Sequence, residues 1–333
     1  MTRPVPLSDL DVVICTYNNA AMLEGVLKTL AHQRCAENAR WTCLVVNNNC
    51  TDQTDDVIRR HVDSGAIPGL RSVREKEQGL TPARACGMRS TAARWTAFVD
   101  DDCFLQPDWI ANAIAFSKSH PTAGAFGGRV ILDWEAEPPS YLRAYGYSFA
   151  EQNHGEVQRD VTFLAGAGLV VNREAMTQCG WMNRPILEDR VGKNLVSGGD
   201  VEIVLRIKAA GYALWYVPEC VIHHQIPARR TQTAYVRTIN RNLGVSQTLA
   251  DALVYPQSDM RWIFGSFGKG ADQILGLLRL AFQAVRRSKS LTDFSIQASF
   301  KLGQLQGIWR IIRMSPSRRS ALVGRARPRG VAT

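Results

Sequence analysis

The sequence lacks any run of about 18 uninterrupted apolar residues, the length a spanning helix needs, so contact with a bilayer would be from one side. It also lacks a C-x-x-C pair. Its 8 cysteines (Cys15, Cys35, Cys43, Cys50, Cys86, Cys103, Cys179 and Cys220) are scattered with no ligand-like cluster, and they read as reduced thiols in a cytosolic protein. No basic segment followed by an apolar core and a small-residue cleavage site is visible at the start, so a cytoplasmic location is expected. Internal repeats are missing, and nothing of low complexity exceeds the final Arg/Ser/Pro/Gly stretch. Acidic residues are scarce only at the end. Of 40 Lys/Arg and 30 Asp/Glu, 14 and 2 fall in residues 261–333, leaving 26 and 28 in the nearly neutral body. A body without a basic face argues against nucleic acid as ligand, whereas a basic, partly apolar tail suits an anionic membrane surface.

What is present describes a folded enzyme-sized chain. The 333 residues are 45% hydrophobic and 21% charged, which excludes disorder, collagen and coiled coil and allows one large α/β domain with an appendage. Leu10–Cys15 is a β-branched run ending in the polar group Thr16-Tyr17-Asn18-Asn19, and Ala21–Leu30 then carries Met22, Val26, Leu27 and Leu30 at helical spacing. The pattern recurs with strand Trp41–Val46, turn Asn47–Thr51 and helix Asp52–His61, a strand near Gly69–Val73, a helix around Pro82–Ala93 and strand Thr96–Val99. This alternation predicts an α/β fold: an open, doubly wound, mostly parallel sheet with helices on both faces. Such sheets bind ligands at the carboxyl ends of their strands.

Past Pro107 the alternation loosens. The pattern predicts helix Asp108–His120, Gly-rich strand Gly124–Leu132, an irregular Glu135–Tyr147, a strand-like Phe163–Val171 and helix Arg173–Cys179. Amphipathic helix Gly199–Ala210, stopped by Gly211, and strand Ala213–Ile222, ending at His223-His224, follow.

Asp100-Asp101-Asp102 directly follows an apolar strand. Three adjacent carboxylates repel one another unless a cation compensates them. A hard divalent ion held by one or two carboxylates and by substrate phosphates is the natural compensator, with a solvated acidic turn as the competing explanation. A second acidic site, Ser197-Gly198-Gly199-Asp200-Val201-Glu202, opens the amphipathic helix, where capping is the other role for a carboxylate.

Taken in order, Thr16-Tyr17-Asn18, Val46-Asn47-Asn48-Asn49-Cys50-Thr51-Asp52, Gly79-Leu80-Thr81-Pro82-Ala83-Arg84 and Asp100–Asp102 resemble a family 2 glycosyltransferase of the GT-A fold, over roughly residues 10–245. The resemblance implies a metal-dependent, inverting enzyme that uses Mg2+ or Mn2+. It would move a sugar from a nucleotide-sugar donor, usually UDP-linked, to a hydroxyl of a glycan or lipid-linked acceptor in polysaccharide or glycolipid synthesis. It puts Thr16, Tyr17 and Asn18 at the base and ribose. Asn48 stands at the uracil edge in place of the family's usual aspartate, with Gly79 and Arg84 beside the donor. Asp100 and Asp101 lie on the donor, and Asp100 and Asp102 hold the metal.

The same resemblance makes Asp200 the catalytic base, with Glu202 the lesser candidate and Gly199 replacing the usual glutamate. It puts His223 and His224 at the metal or diphosphate. Only one of the two would face the site, because strand neighbours point oppositely. Arg229, Arg230, Arg237 and Arg241 could neutralise the leaving diphosphate, and Gly166-Ala167-Gly168 would leave room for the acceptor. Trp134, Tyr141, Tyr145, Tyr147 and Trp181 are sugar-stacking candidates, with core packing the alternative for each.

On this basis residues 1–255 form the catalytic domain, about 10–105 its nucleotide-binding half and 106–255 its acceptor-side half. Residues 256–315 form an amphipathic helical extension and 316–333 a basic, disordered tail. Helical stripes in Ala271–Val285 and Ser295–Arg313, flanked by cations, fit either an interfacial membrane contact through residues 261–333 or a pair packed on the catalytic domain or a second subunit, leaving a homo-oligomer open. Two rival functions remain at this point. A nucleotidyltransferase would show a Gly-rich, basic loop after the first strand, and Cys15–Ala20 has neither feature. A non-catalytic nucleotide-sugar-binding protein is suggested by Gly199.

Overall fold

Strand β1 (Leu10–Thr16) is buried along nearly its whole length, so both of its faces are covered, as the continuous run Val12-Val13-Ile14 requires. A computed structural model of the chain describes residues 8–187, 189, 198–286 and 290–326. These fall into two compact units, which are taken in turn.

The first unit comprises the described residues up to Asp133 with Ala150–Met182 and Tyr212–Gln225. After β1 come α1 (Ala20–Ala31), β2 (Trp41–Asn47), α2 (Thr54–Ser64), β3 (Arg71–Arg74), α3 (Leu80–Arg89) and β4 (Trp95–Asp100). Next are β5 (Cys103–Leu105), α4 (Trp109–Ser119), β6 (Ala125–Trp134), β7 (Arg159–Val161), β8 (Leu169–Asn172) and α5 (Arg173–Gln178). Helix α6 (Gly199–Ala209) belongs to the other unit, and β9 (Leu214–Ile226) completes the sheet.

The strand order is β3-β2-β1-β4-β8-β6-β9-β5, with β7 added on β9. The expected parallel winding is found in β3-β2-β1-β4. Strand β8 then runs antiparallel to both β4 and β6, and β5 and β7 run antiparallel to β9. No α-helix stands between β6 and β8 to make the crossover that a parallel neighbour needs.

One face of β1, through Leu10, Val12 and Ile14, shares a continuous core with Leu23, Val26 and Leu27 of α1, Val57 and Ile58 of α2, and Trp109 and Ile110 of α4. Val13 points to the other face, toward α3. There Gly87 lies so close that a Cβ would collide with its methyl group. Helices on both faces are therefore observed.

Two strand boundaries differ from expectation. The strand predicted over Phe163–Val171 is confined to Leu169–Asn172, because Gly168 turns the chain at φ +70° against Ile222. The strand predicted to stop at Ile222 continues to Ile226, because β5 pairs with residues 222–224 and holds them extended.

Asp11 ties the opposite end of the sheet together. Its buried carboxylate accepts from Ser8 Oγ (2.5 Å), Thr42 Oγ1 (2.8 Å) and the backbone N–H groups of Ala92 (2.9 Å) and Ala93 (2.8 Å). One side chain thus links β1, β2 and the approach to β4.

The second unit comprises Trp134–Phe149, the described part of Asn183–Gly211, and the described residues from Ile226 onward. Besides α6 it holds α7 (Thr233–Leu253), α8 (Asp259–Val285), α9 (Leu291–Ile312) and α10 (Pro316–Leu322), with 3-10 turns at Ser140–Phe149 and Ala228–Thr231. Helices α7 and α9 approach backbone to backbone. A Cβ on Gly303 would run into the Arg241 carbonyl, and one on Gly244 into that of Phe300. Leu249, Leu253, Trp262, Ile308, Ile311 and Leu322 share one core. The helical extension expected from residue 256 therefore packs with a helix that precedes it.

The tail expected to be disordered from residue 316 is corrected in its first part. Ser315 caps α10, and Leu322, Val323 and Ala326 are buried against α7 and α8 side chains, so apolar burial orders this basic segment. Residues 327–333 lie outside the described residues.

Burial alone would raise the Asp11 pKa, but the donors from Ser8, Ala93, Thr42 and Ala92 together hold it below its ordinary value of 3.8. The stabilisation is therefore present above the unfolded value and is lost as pH falls through the lower folded value. Asp11→Asn should cost about 1–3 kcal/mol in urea unfolding near neutral pH, and the difference should shrink below about pH 4.

Candidate active site

Register places the functional loops together. Thr16 pairs with Asn47 and Cys15 with Asp100, so β1, β2 and β4 end at one carboxyl edge. Thr16 is buried there, and its carbonyl accepts from Asn48 N (3.0 Å). Tyr17 beside it is exposed. Asn18, at φ +49°, accepts from Thr51 N through Oδ1 (2.7 Å), and its own N–H donates to Cys50 Sγ (3.3 Å). It staples the β1 loop to the β2 loop.

Asn48 does the same for the loop before α3. Its Nδ2 donates to the carbonyls of Glu75 (3.1 Å) and Glu77 (2.7 Å), and its Oδ1 accepts from Gly79 N (2.8 Å) and Gln78 Nε2 (3.2 Å). An amide has two donor hydrogens and two acceptor lone pairs, and all four are used. Asn48 therefore fixes the loop that leads into α3. Gly79 turns at φ +139° directly before α3, a conformation that L side chains rarely adopt.

Arg84 of α3 is buried, with its guanidinium 3.4 Å from Asp100 Oδ1 and 5.8 Å from the centroid of the Phe98 ring. Asp101 accepts from Asn19 Nδ2 (2.8 Å), and burial together with the Asp102 charge pushes its pKa up to about 7. Asp102 is buried with Oδ2 3.4 Å from His224 Nε2, and Cys103 Sγ donates to its Oδ1 at 3.8 Å.

The ligand-capable atoms of Asp102, Cys103 and His224 all lie within 4.8 Å of one another. The carboxylate suits Mg2+ and Mn2+, and the imidazole adds a nitrogen donor that transition metals accept. Burial and then the Asp102 charge raise the Cys103 pKa well above its ordinary value, so the thiol keeps its proton as a hydrogen-bond donor. The donor set fits a divalent cation, with Asp102 and His224 as the residues that would hold it.

Antiparallel β5 and β9 pair Cys103 with His224 and Phe104 with His223. Alternation therefore sends His224 to Asp102 and His223 to the other side, where its Nδ1 lies 3.2 Å from Asp133 Oδ1. Asp100 and His223 are outside the three-residue group. Asn19 and Cys103 went unrecognised in the sequence. Asn19 ends the polar loop after β1, which was its only visible signal.

In the second unit, Asp200 lies in the first turn of α6, partly exposed, and its Oδ1 accepts from Val201 N (2.9 Å). Ser197 lies outside the described residues. Glu202 is a correction to the base assignment. It is fully buried, takes the N–H groups of Ile186 (2.9 Å) and Leu187 (2.7 Å), and pairs with Arg206 (2.9 Å), so no acceptor hydroxyl could reach it.

Among the arginines, Arg229, Arg237 and Arg241 are exposed, and Arg241 donates to Gln306 Oε1 (3.1 Å). Trp181, in the first unit, and Tyr145, in the second, are buried as packing. Trp134 meets the Phe149 ring edge-on, and Tyr141 bonds Thr233. Tyr147 keeps an exposed ring with its hydroxyl donating to Asn240 Oδ1 (2.9 Å).

A doubly wound sheet whose carboxyl edge gathers an acidic triplet, a buried arginine and a buried imidazole has the architecture of a GT-A glycosyltransferase. A profile described as Glycosyl transferase family 2 matches residues 11–180, half of the chain, and the chain belongs to that family. It is 24% identical over 254 residues to the glucosyl-dolichyl phosphate glucuronosyltransferase of Haloferax volcanii, covering 75% of this chain and 79% of the relative. It is 22% identical over 308 residues to the succinoglycan biosynthesis protein ExoM of Rhizobium meliloti, covering 90% and 92%. Among solved structures, the mannosyltransferase PcManGT of Pyrobaculum calidifontis, in complex with GDP-Man and Mn2+, superposes with a TM-score of 0.60 at 19% identity over 92% of this chain and 89% of that one. The protein is therefore a glycosyltransferase.

Asp102→Asn and His224→Ala should each weaken Mn2+ binding by about ten-fold or more in isothermal titration, whereas Asp133→Asn, beside the opposite histidine, should leave it within about two-fold. Equal losses in all three would remove the assignment of Asp102 and His224.

Proposed function

We propose that the chain is a metal-dependent, inverting glycosyltransferase. It transfers a sugar from a UDP-linked donor to a hydroxyl of a glycan or lipid-linked acceptor, working with Mg2+ or Mn2+ and in peripheral contact with a membrane through residues 261–333. The observation that carries this reading is the buried Asp102–His224 pair, 3.4 Å apart, at the carboxyl edge of the sheet. Two further points support parts of it: the Pyrobaculum enzyme's complex with Mn2+ and a nucleotide sugar, GDP-Man, supports the metal and the donor class, and the dolichyl phosphate name of the Haloferax relative supports a lipid-linked acceptor.

A divalent ion held there would neutralise the diphosphate of the donor as its bond to the sugar breaks. Arg84, fixed between Asp100 and Phe98, adds a buried positive charge beside the strand end. Asn48 and Asn18 hold the loops that wall the nucleotide in. Asp200 takes the proton of the acceptor hydroxyl. The acceptor oxygen then bonds to the anomeric carbon from the face opposite the departing nucleoside diphosphate, and the configuration inverts.

Asp200→Asn should retain donor affinity within about three-fold while lowering transfer at least ~100-fold in a product-release assay. Turnover near the unsubstituted level would reject Asp200 as the base. A thermal-shift panel of nucleotide sugars with and without Mn2+ should show its largest metal-dependent rise with a UDP-sugar. A larger rise with a GDP-sugar would overturn the assignment of uracil as the donor's nucleobase.

A further inference from the structure

Helix α8 shows two very different faces. Trp262, Ser266 and Leu280 are buried on one side, and Lys301 Nζ from α9 donates to Gln273 Oε1 (3.2 Å). The other side presents Phe264, Phe267, Ile274, Leu278, Phe282 and Val285, with 68% of Phe264, 67% of Phe267, 63% of Leu278 and 82% of Val285 exposed. At about 100° per residue these positions fall within an arc of about 100°, so they form one straight stripe on a helix roughly 40 Å long. Arg261, Arg279 and Arg286 run along one border of the stripe on the same projection. The Arg286 guanidinium lies 4.3 Å from the centroid of the Phe282 ring. On neighbouring α9, Arg313 stands over the exposed Trp309 ring at 5.4 Å.

We infer that this outward face of α8 lies in the plane of an anionic lipid bilayer, its aromatic and aliphatic stripe among the acyl chains and its arginines at the phosphate level. Charge decides the occupant. Residues 261–333 carry 14 Lys/Arg against Asp272 and Asp293. A second copy docked through the same stripe would bring like-charged borders together, whereas lipid phosphates complement them. Asp259, the remaining acid on α8, is already held by Arg319 (3.5 Å) and Ser320 (2.9 Å). Among the described residues no helix is long and apolar enough to cross a membrane, so the contact is in-plane.

This inference specifies the membrane contact of the proposed function, but it stands on the exposed stripe of α8 and the charge of residues 261–333, and vesicle binding requires no turnover. The full chain should float with phosphatidylcholine vesicles containing phosphatidylglycerol and should bind pure phosphatidylcholine vesicles more weakly. F267E and L278E, both at exposed positions, should each cut partitioning by about ten-fold without altering the circular dichroism melt. Absence of flotation on the anionic vesicles, or flotation unchanged by L278E, would overturn the inference. A lipid-free dimer in analytical ultracentrifugation that L278E dissociates would also overturn it, assigning the stripe to a second copy. A chain that ignores vesicles yet transfers sugar to a water-soluble acceptor would refute the docking face and leave the glycosyl transfer standing.

Discussion

The burial of one carboxylate at the edge of the sheet is the constraint on which the proposed site depends. Asp102 is removed from water beside His224, with the Asp100 and Asp101 carboxylates next to it in sequence. Such crowding raises the cost of every negative charge present. The fold keeps the group in place by backbone geometry. The three-residue β5 pairs with β9, and Gln225 N donates to the Asp102 carbonyl at 2.8 Å, so the imidazole and the carboxylate arrive together because their strands are in register. A shift of one residue in that pairing would turn His224 to the opposite face and present its neighbour instead.

Around this point neutral amides bind one loop to the next. Asn18, Asn47, Asn48 and Asn49 spend their hydrogen bonds on neighbouring loops, Asn47 with Asp55 and Cys50, Asn49 with Lys76. Asn18 and Asn49 also occupy the left-handed region that short amide side chains tolerate. The consequence is a pre-arranged rim. Loops whose backbone is already bonded lose little further freedom when a ligand settles on them.

The helical unit follows a different logic. Glycines at the α7–α9 crossing let the two backbones touch, and the core built from Leu249, Trp262 and Ile311 holds α8 by one side only. Glu202 belongs to the same economy of burial. Its carboxylate sits in the interior because two backbone N–H groups and Arg206 satisfy it, and the same satisfaction withdraws it from chemistry.

Much of the first half of the fold was legible because its signals are local. Apolar runs of strand length, helical spacing and polar turns announced the parallel strands of the first half and put Thr16, Asn48 and Asp100 at strand ends, whereas the order β3-β2-β1-β4 came from the pairing. The acidic triplet, by its own repulsion, was also a local signal for a compensating group. Other features depended on contacts distant in sequence, and no local pattern carries those. The antiparallel half of the sheet, the extension of β9 through His223 and His224, the choice of His224 over its neighbour, and the full engagement of Asn48 arise from pairing partners tens of residues away, and Glu202 is engaged by Ile186 and Leu187 from outside its own helix. The ordering of residues 316–326 likewise depends on a core supplied by α7 and α8. Sequence alone determined which chemical groups were available and in what order, because periodicity and turn preference act over a few residues. Tertiary structure decided which of those groups remained accessible, because only folding settles which polar atoms find partners inside the protein and which are left to meet a ligand.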